Sequence, residues 1–178
     1  SLTLYAVGKG TTIDHIQVSY SGDDSFEWFG GNVNARYLVA LGGLDDGFDT
    51  DNGFSGKIQF GLILQDPLKS DQSGSNAFES DNDADGSLLA PLTAPVFSNV
   101  TALGPLTVTA ALPAETKHEK AMHLRRGTMT SVYNSVFAGF PQGLSIDGQK
   151  GNSPTRADQN ELQIENTILA GMTVNYVE

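Results

Sequence analysis

Apolar residues along the chain come in short bursts rich in β-branched and aromatic side chains, and the stretches between them are dense in Gly, Asp, Asn and Ser. Such a pattern predicts many strands and turns rather than helices. The bursts also recur. Ile16-Gln17-Val18, followed by the acidic turn Ser21-Gly22-Asp23-Asp24-Ser25-Phe26-Glu27, lines up at an offset of 22 residues with Leu38-Val39-Ala40 and Gly43-Leu44-Asp45-Asp46-Gly47-Phe48-Asp49. Further copies of the first strand are Leu62-Ile63-Leu64, Val100-Thr101-Ala102, Val136-Phe137-Ala138 and Ile168-Leu169-Ala170, at intervals of 24, 38, 36 and 32 residues. A second, weaker strand recurs around Phe26, Phe48, Phe78, Leu124, Leu144 and Val174. A unit this short cannot bury its own apolar face and must stack on its neighbours. The expected fold is therefore all-β, a parallel β-solenoid of about six turns. Leucine-rich repeats share the period but need a Leu and Asn pattern that these units lack. An antiparallel sandwich would explain short strands, yet gives no reason for acidic turns to recur at a fixed offset.

Three polar or proline-bearing insertions interrupt the repeat, from Asp66 to Ala77, Pro105 to Ala121 and Gly148 to Asn160. Insertions at one position of the unit would build a binding side; the alternative is loop drift. The stretch from Pro113 to Lys120 is the candidate for the only helix, with Pro113 suited to a first turn, and otherwise a loop. Asn134 and Asn166 align across two turns as a stacked amide pair.

The 178 residues suit a single domain spanning 1–178. With no cysteine, disulfides, thiolate metal sites and a cysteine nucleophile are excluded, and no apolar run approaches the roughly 18 residues of a membrane helix. Charge narrows the partners. Ten Lys and Arg against 21 Asp and Glu give a net charge of -11, which sets the chain against nucleic acid. Residues 1–90 carry 14 acidic and 4 basic side chains, and residues 91–178 carry 7 and 6, so one half supplies the field.

The runs from Gly10 to Gly31 and from Asp49 to Gly56 resemble secreted bacterial surface proteins of the pectin-lyase-like right-handed parallel β-helix superfamily. The resemblance extends through Gly74 to Asp83, Phe97 to Thr101, Met122 to Arg126 and Leu144 to Gly148. It implies a right-handed β-helix in a secreted or bacterial cell-surface setting, often lipid-anchored in the precursor. In such relatives the matching stretch lies inside a longer chain. Open sheet edges need covering, so the expectation is a processed segment whose ends are covered by the remainder of the β-helix or another chain. The superfamily includes lyases, hydrolases, adhesins and proteins without known activity. A non-catalytic structural or surface-recognition role, with a polysaccharide or cell-surface glycan as partner, is the preferred reading. The alternative is a calcium-dependent polysaccharide lyase or glycoside hydrolase.

Candidate chemistry lies in four places. Asp81-Asn82-Asp83-Ala84-Asp85-Gly86 matches the opening of a calcium loop, with oxygen donors at alternate positions and a glycine for the turn, although Leu92 replaces the closing Glu. Asp81, Asp83 and Asp85 are therefore candidate calcium ligands, with a solvated acidic loop as the alternative. Asp23, Asp24 and Glu27 recur as Asp45, Asp46 and Asp49. Stacked turns would crowd these charges to roughly 5 Å, and either a bridging cation, a raised pKa, outward solvation or a turn-capping role must relieve them. His123, Arg125 and Arg126 form a basic cluster for an acidic ligand or for surface ion pairs with Glu119 or Asp147. Strand alternation would send the two arginines to opposite faces. Trp28, beside Phe29 and Gly30-Gly31, is either a stacking platform for a sugar ring or part of the core.

Overall fold

The computed structural model describes residues 1–177. In chain order the strands are β1 (Leu2–Val7), β2 (Ile13–Ser19), β3 (Phe26–Gly31), β4 (Ala35–Leu41), β5 (Phe48–Asp51), β6 (Lys57–Leu64), β7 (Phe78–Ser80) and β8 (Val96–Leu103). They continue with β9 (Lys120–Leu124), β10 (Ser131–Tyr133), β11 (Val136–Ala138), β12 (Gln142–Ile146), β13 (Ile164–Glu165), β14 (Ile168–Ala170) and β15 (Val174–Val177). Two sheets divide them. The first takes β1, β3, β5, β7, β9, β12 and β15 in that spatial order. The second stacks β2, β4, β6 and β8, then β10 and β11 on β8, with β13 and β14 beyond. Every pairing is parallel, so each turn of chain adds a strand to each sheet, that of the second sheet being split in the last two turns into β10 and β11 and into β13 and β14, and the molecule is a parallel β-helix.

The 22-residue offset is the true rung of the first turns: Phe26 pairs with Phe48, Ile16 with Leu38 and Val18 with Ala40. Later copies slip. Leu38 faces Gly61 rather than Leu62, Val136 faces Thr101 rather than Val100, Phe78 faces Met122 rather than Leu124, and Leu144 faces Tyr176 rather than Val174. The first slip has a clear cause. A Cβ on Gly61 would lie 2.9 Å from the Phe48 ring, so the inward position opposite that ring takes the smallest residue, and matching apolar residues alone picks its neighbour.

All three expected insertions leave the rungs. A fourth, residues 81–95 between β7 and β8, joins them, so insertions fall at both corners of the unit and do not gather on one side. The Pro113 to Lys120 stretch is not helical. It makes one turn, with the Thr116 N–H donating to the Pro113 carbonyl at 3.0 Å, and then extends beside residues 75–77. Its amides are claimed by that neighbouring rung: Glu119 N–H donates to the Ser75 carbonyl and Lys120 N–H to Asn76 Oδ1. The α-helix, α1 (Ser153–Asp158), lies in the third expected insertion, with proline in its first turn.

The core is a column of rings. Phe48 meets Phe26 at 5.5 Å, Trp28 at 5.7 Å and Phe78 at 5.5 Å, and Phe97 enters from the second sheet at 4.6 Å from Phe78. Polar residues that point inward satisfy one another. Ser80 Oγ lies 2.8 Å from Thr50, 2.7 Å from Thr128 and 2.6 Å from Thr130, which offsets the cost of burying hydroxyls. Because Phe48 is fully buried among aromatic rings from four other positions, Phe48→Ala should lower unfolding stability by about 3–5 kcal/mol in a urea titration. A loss under about 1 kcal/mol would show that the column closes over the gap.

Candidate functional site

The corner leading into the first sheet is built from the acidic repeat. Asp24 accepts a hydrogen bond from the Asp46 N–H at 2.9 Å, Asp46 accepts from the Asn76 N–H at 2.5 Å, and Asn76 Oδ1 accepts from the Lys120 N–H at 3.1 Å. Each side chain thus reaches the backbone of the next rung. That ladder explains why an acceptor recurs at this place: a buried corner amide needs a partner. Asp24 and Asp46 are capping groups, as the turn-capping alternative anticipates.

Outward from this ladder, parallel register stacks Thr3, Glu27, Asp49, Glu79 and His123 in one row. Carboxylate oxygens of Asp24, Glu27 and Asp49 lie within 4.8 Å of one another, as do those of Asp23, Asp24 and Asp45. Burial first, and then repulsion from Asp45, Glu27 and Asp23, pushes Asp24 up to about 7 against its bond to the Asp46 N–H. Burial and the charge of Asp71 push Asp45 to about 7, and burial with repulsion from Asp81 and Asp83 pushes Asp51 to about 6 despite the bond from the Asn52 N–H. Asp46 and Asp49 are raised for the same reasons, burial leading. Clustered hard oxygen donors are the set a calcium ion accepts. Among the expected ligands, Asp49 belongs to one of these groups and Asp45 to the other, while Asp46 is turned to the Asn76 amide.

Farther along the same face the sign changes. His123 stands between Glu79 at 3.5 Å and Asp147 at 3.3 Å. Arg125 donates from Nε to Asp81 at 2.8 Å and from its terminal nitrogen to Glu79, and Arg126 donates to the other Asp81 oxygen at 2.5 Å. Burial pushes Glu79 up, but the His123 hydrogen bond and the charges of Arg125, His123 and Arg126 outweigh it and hold Glu79 below its ordinary value. For Arg125, burial pulls the pKa down, while the Asp81 bond and the Glu79 charge more than reverse it.

Three expectations need correction. Arg125 and Arg126 do not part to opposite faces: β9 ends at Leu124, and Arg126 (φ 54°) and Gly127 (φ 82°) bend the chain. Both guanidinium groups therefore meet Asp81, and with Asp147, Gln149 and Lys150 they line a cleft of about 120 Å³. Their acidic partners are Glu79 and Asp81, while the expected Asp147 pairs with His123 at 3.3 Å and Glu119 does not join the cluster. Asp81, Asp83 and Asp85 do not converge as a calcium loop either. Asp81 belongs to the arginines, and Asp83 accepts from the Asp85 and Ser87 amides and the Ser87 hydroxyl. Finally, Trp28 is fully buried, stacked on Phe54 at 5.4 Å and Phe26 at 5.9 Å. It is core and offers no face to a sugar. Sequence reading also missed Glu79 as the hinge of the charged row, because its role depends on a partner 46 residues away.

The crowded carboxyls set a pH signature. A carboxyl raised in the folded chain holds its proton more tightly there than in the unfolded chain, so its contribution is present near pH 4 and is lost as the pH climbs through about 7. In chelator, the thermal midpoint should fall between pH 5 and pH 8. Millimolar calcium should recover that loss at pH 8 and do little at pH 5; a flat profile, or no calcium effect at pH 8, would separate the cluster from any cation. The corner ladder gives a second expectation. Asp46→Asn keeps the acceptor for the Asn76 amide and removes a crowded charge, so stability at pH 8 should hold or rise, whereas Asp46→Ala should lose about 1–3 kcal/mol. Equal losses in the two variants would refute the ladder.

The comparisons with known proteins agree with this architecture. A family model described as a pectate-lyase-like beta helix domain matches residues 1–178. Searches of the curated proteins and of the solved structures find no match. With the match running the length of the chain and two parallel sheets beneath it, the protein belongs to the family of pectate-lyase-like β-helix domains.

Proposed function

We propose that this chain is a non-catalytic recognition module of a secreted or bacterial cell-surface protein, binding an acidic glycan along the outer face of the first sheet. The observation that carries the reading is the convergence of Arg125, Arg126 and Lys150 on one cleft, on the face whose neighbouring turns hold the Asp24, Glu27 and Asp49 cluster. A carboxylate of the glycan sits in the cationic cleft. Calcium held by Asp24, Glu27 and Asp49 takes another carboxylate, two rungs away along the axis and displaced along the strand from the cleft. Arg125 supports binding over chemistry. A lyase base must give up its proton near neutral pH, and two carboxylates hold the Arg125 proton more firmly than usual.

One observation favours a second reading, a glycoside hydrolase. Asp49 and Glu79 are register partners; burial and repulsion raise the first, and cationic neighbours lower the second. Two carboxyls with pKa values pushed apart are what an acid and a nucleophile require.

Retention on immobilised alginate, with calcium and with chelator, tests the binding reading. Lys150→Ala and Arg126→Ala should each weaken calcium-dependent retention about fivefold, the scale of one exposed charge pair, and unaltered retention in both would remove the cleft from the site. Release of new reducing ends from a panel of neutral and acidic polysaccharides separates the two functions. Release that Asp49→Asn abolishes would establish the hydrolase and overturn the recognition role.

A further inference from the structure

The second sheet carries a feature separate from the first-sheet face. At one position of every full turn the chain takes the left-handed conformation: His15 (φ 55°), Tyr37 (φ 55°), Phe60 (φ 62°), Asn99 (φ 57°), Asn134 (φ 50°) and Asn166 (φ 50°). The expected Asn134 and Asn166 pair is therefore the end of a row six residues long. Asparagine tolerates this backbone because its short polar side chain suits it, while bulky residues are strained there. In the last three turns the row keeps the residue the backbone favours. In the first three it has His15, which shares that tolerance, and then Tyr37 and Phe60, which do not.

Burial offsets that strain only in part. Tyr37 and Phe60 are each 41% exposed, and the His15 side chain is 73% exposed. The three rings stack on one another, His15 on Tyr37 at 4.5 Å and Tyr37 on Phe60 at 4.9 Å. Stacked rings cover one another's negative faces and turn their positive edges outward. They wall a groove of about 450 Å³ over β2, β4 and β6, floored by Leu38 and Gly61 and flanked by Gln17 and Asn99. A second groove of about 360 Å³ adjoins it, holding Arg36 and Lys57. Asp14, the carboxylate of that groove, is paired with Arg36 at 2.8 Å and with His15. Lys57 has no carboxylate partner among the described residues. Only four basic residues occur in the first 90, against 14 acidic ones, and two of the four stand here.

We propose that the strip formed by His15, Tyr37 and Phe60, with Arg36 and Lys57 beside it, is a second binding face for an acidic polysaccharide, independent of cations. Ring edges and the unpaired Lys57 ammonium both attract an anionic, oxygen-rich polymer, while Arg36 is held by Asp14. The amides of Gln17, Gln59 and Asn99 supply donors and acceptors for its hydroxyls. The polymer runs along the helix axis, because the ring row does. Elsewhere on the first half of the chain the acidic field would repel it, so the strip is where charge complementarity places it.

The test uses alginate and dextran columns in EDTA, which silences any calcium-dependent binding by the first sheet. The unaltered chain should be retained on alginate and not on dextran. The triple variant His15→Asn, Tyr37→Asn, Phe60→Asn restores the residue that the last three turns use. It should lose retention while its thermal midpoint holds or rises, since the strain is relieved. Lys57→Glu, which leaves the rings in place, should also weaken retention. Retention of the triple variant equal to that of the parent would overturn the proposal, as would equal retention on dextran or none on alginate in EDTA. A self-associating parent that the triple variant renders monomeric, without alginate retention, would assign the strip to a second copy of the chain instead. Arg126→Ala and Lys150→Ala separate the two faces: both should keep EDTA-resistant retention, so either reading can fail while the other stands.

Discussion

Parallel, in-register hydrogen bonding between successive turns is the constraint on which the rest of this molecule depends. Each rung satisfies its backbone on the next, which fixes neighbours at roughly 4.8 Å and places every side chain directly over its counterpart. Position in the unit then decides position in a row, and a row is good or bad according to what like residues do when stacked. Apolar rings gain: Phe26, Phe48 and Phe78 form a continuous column because each strand contributes its ring at the same inward place. Hydroxyls gain too, since Thr50 and Ser80 can donate in sequence. Carboxylates lose, because a stacked pair repels at the spacing that the backbone imposes.

The acidic rows show three ways of living with that imposition. At the corner, Asp24 and Asp46 become acceptors for the next rung's amide, so the geometry that crowds them also gives them a partner. In the fourth turn and beyond, Glu79 and Asp81 are answered by Arg125, Arg126 and His123 one rung later. Between these two solutions Glu27 and Asp49 have neither an arginine nor a backbone amide in hand, and burial raises both above their ordinary values. The unanswered charge of this row is therefore confined to the turns that precede the rung facing His123, Arg125 and Arg126.

Much of the fold was legible because a rung leaves a period in the sequence. The acidic turn and the apolar strand before it recur together at 22 residues, and the first two turns pair as that offset requires. Legibility failed where a three-dimensional neighbour, rather than a local preference, chose the residue. Gly61 sits at an inward position because the Phe48 ring fills the space above it, and nothing near residue 61 announces that ring. Trp28 beside two glycines reads as a surface platform until Phe54 from the next turn covers it. The site was less legible than the fold for the same reason. Alternation predicted that Arg125 and Arg126 diverge, and the left-handed Arg126, two residues past the end of the strand, cancels that rule. Asp81, Asp83 and Asp85 have calcium-loop spacing, but an ion pair 44 residues away takes the first of them.

A left-handed row along the second sheet carries the same logic to the outer surface. Where a solenoid repeats a backbone conformation, the residue that suits it best should repeat as well, and Asn99, Asn134 and Asn166 obey that expectation. Tyr37 and Phe60 break it in consecutive turns, with His15 extending their stack, and they gain ring stacking and partial burial. Departure from the locally favoured residue in one strained place is unremarkable, since tertiary packing routinely overrides local preference. Departure in two stacked places, extended by an exposed histidine ring and with the favoured residue resuming in the next turn, is a property of the surface and not of any one residue. Strain that packing does not repay marks positions held for something outside the fold, and in a solenoid such positions are brought together by the same stacking that builds the core.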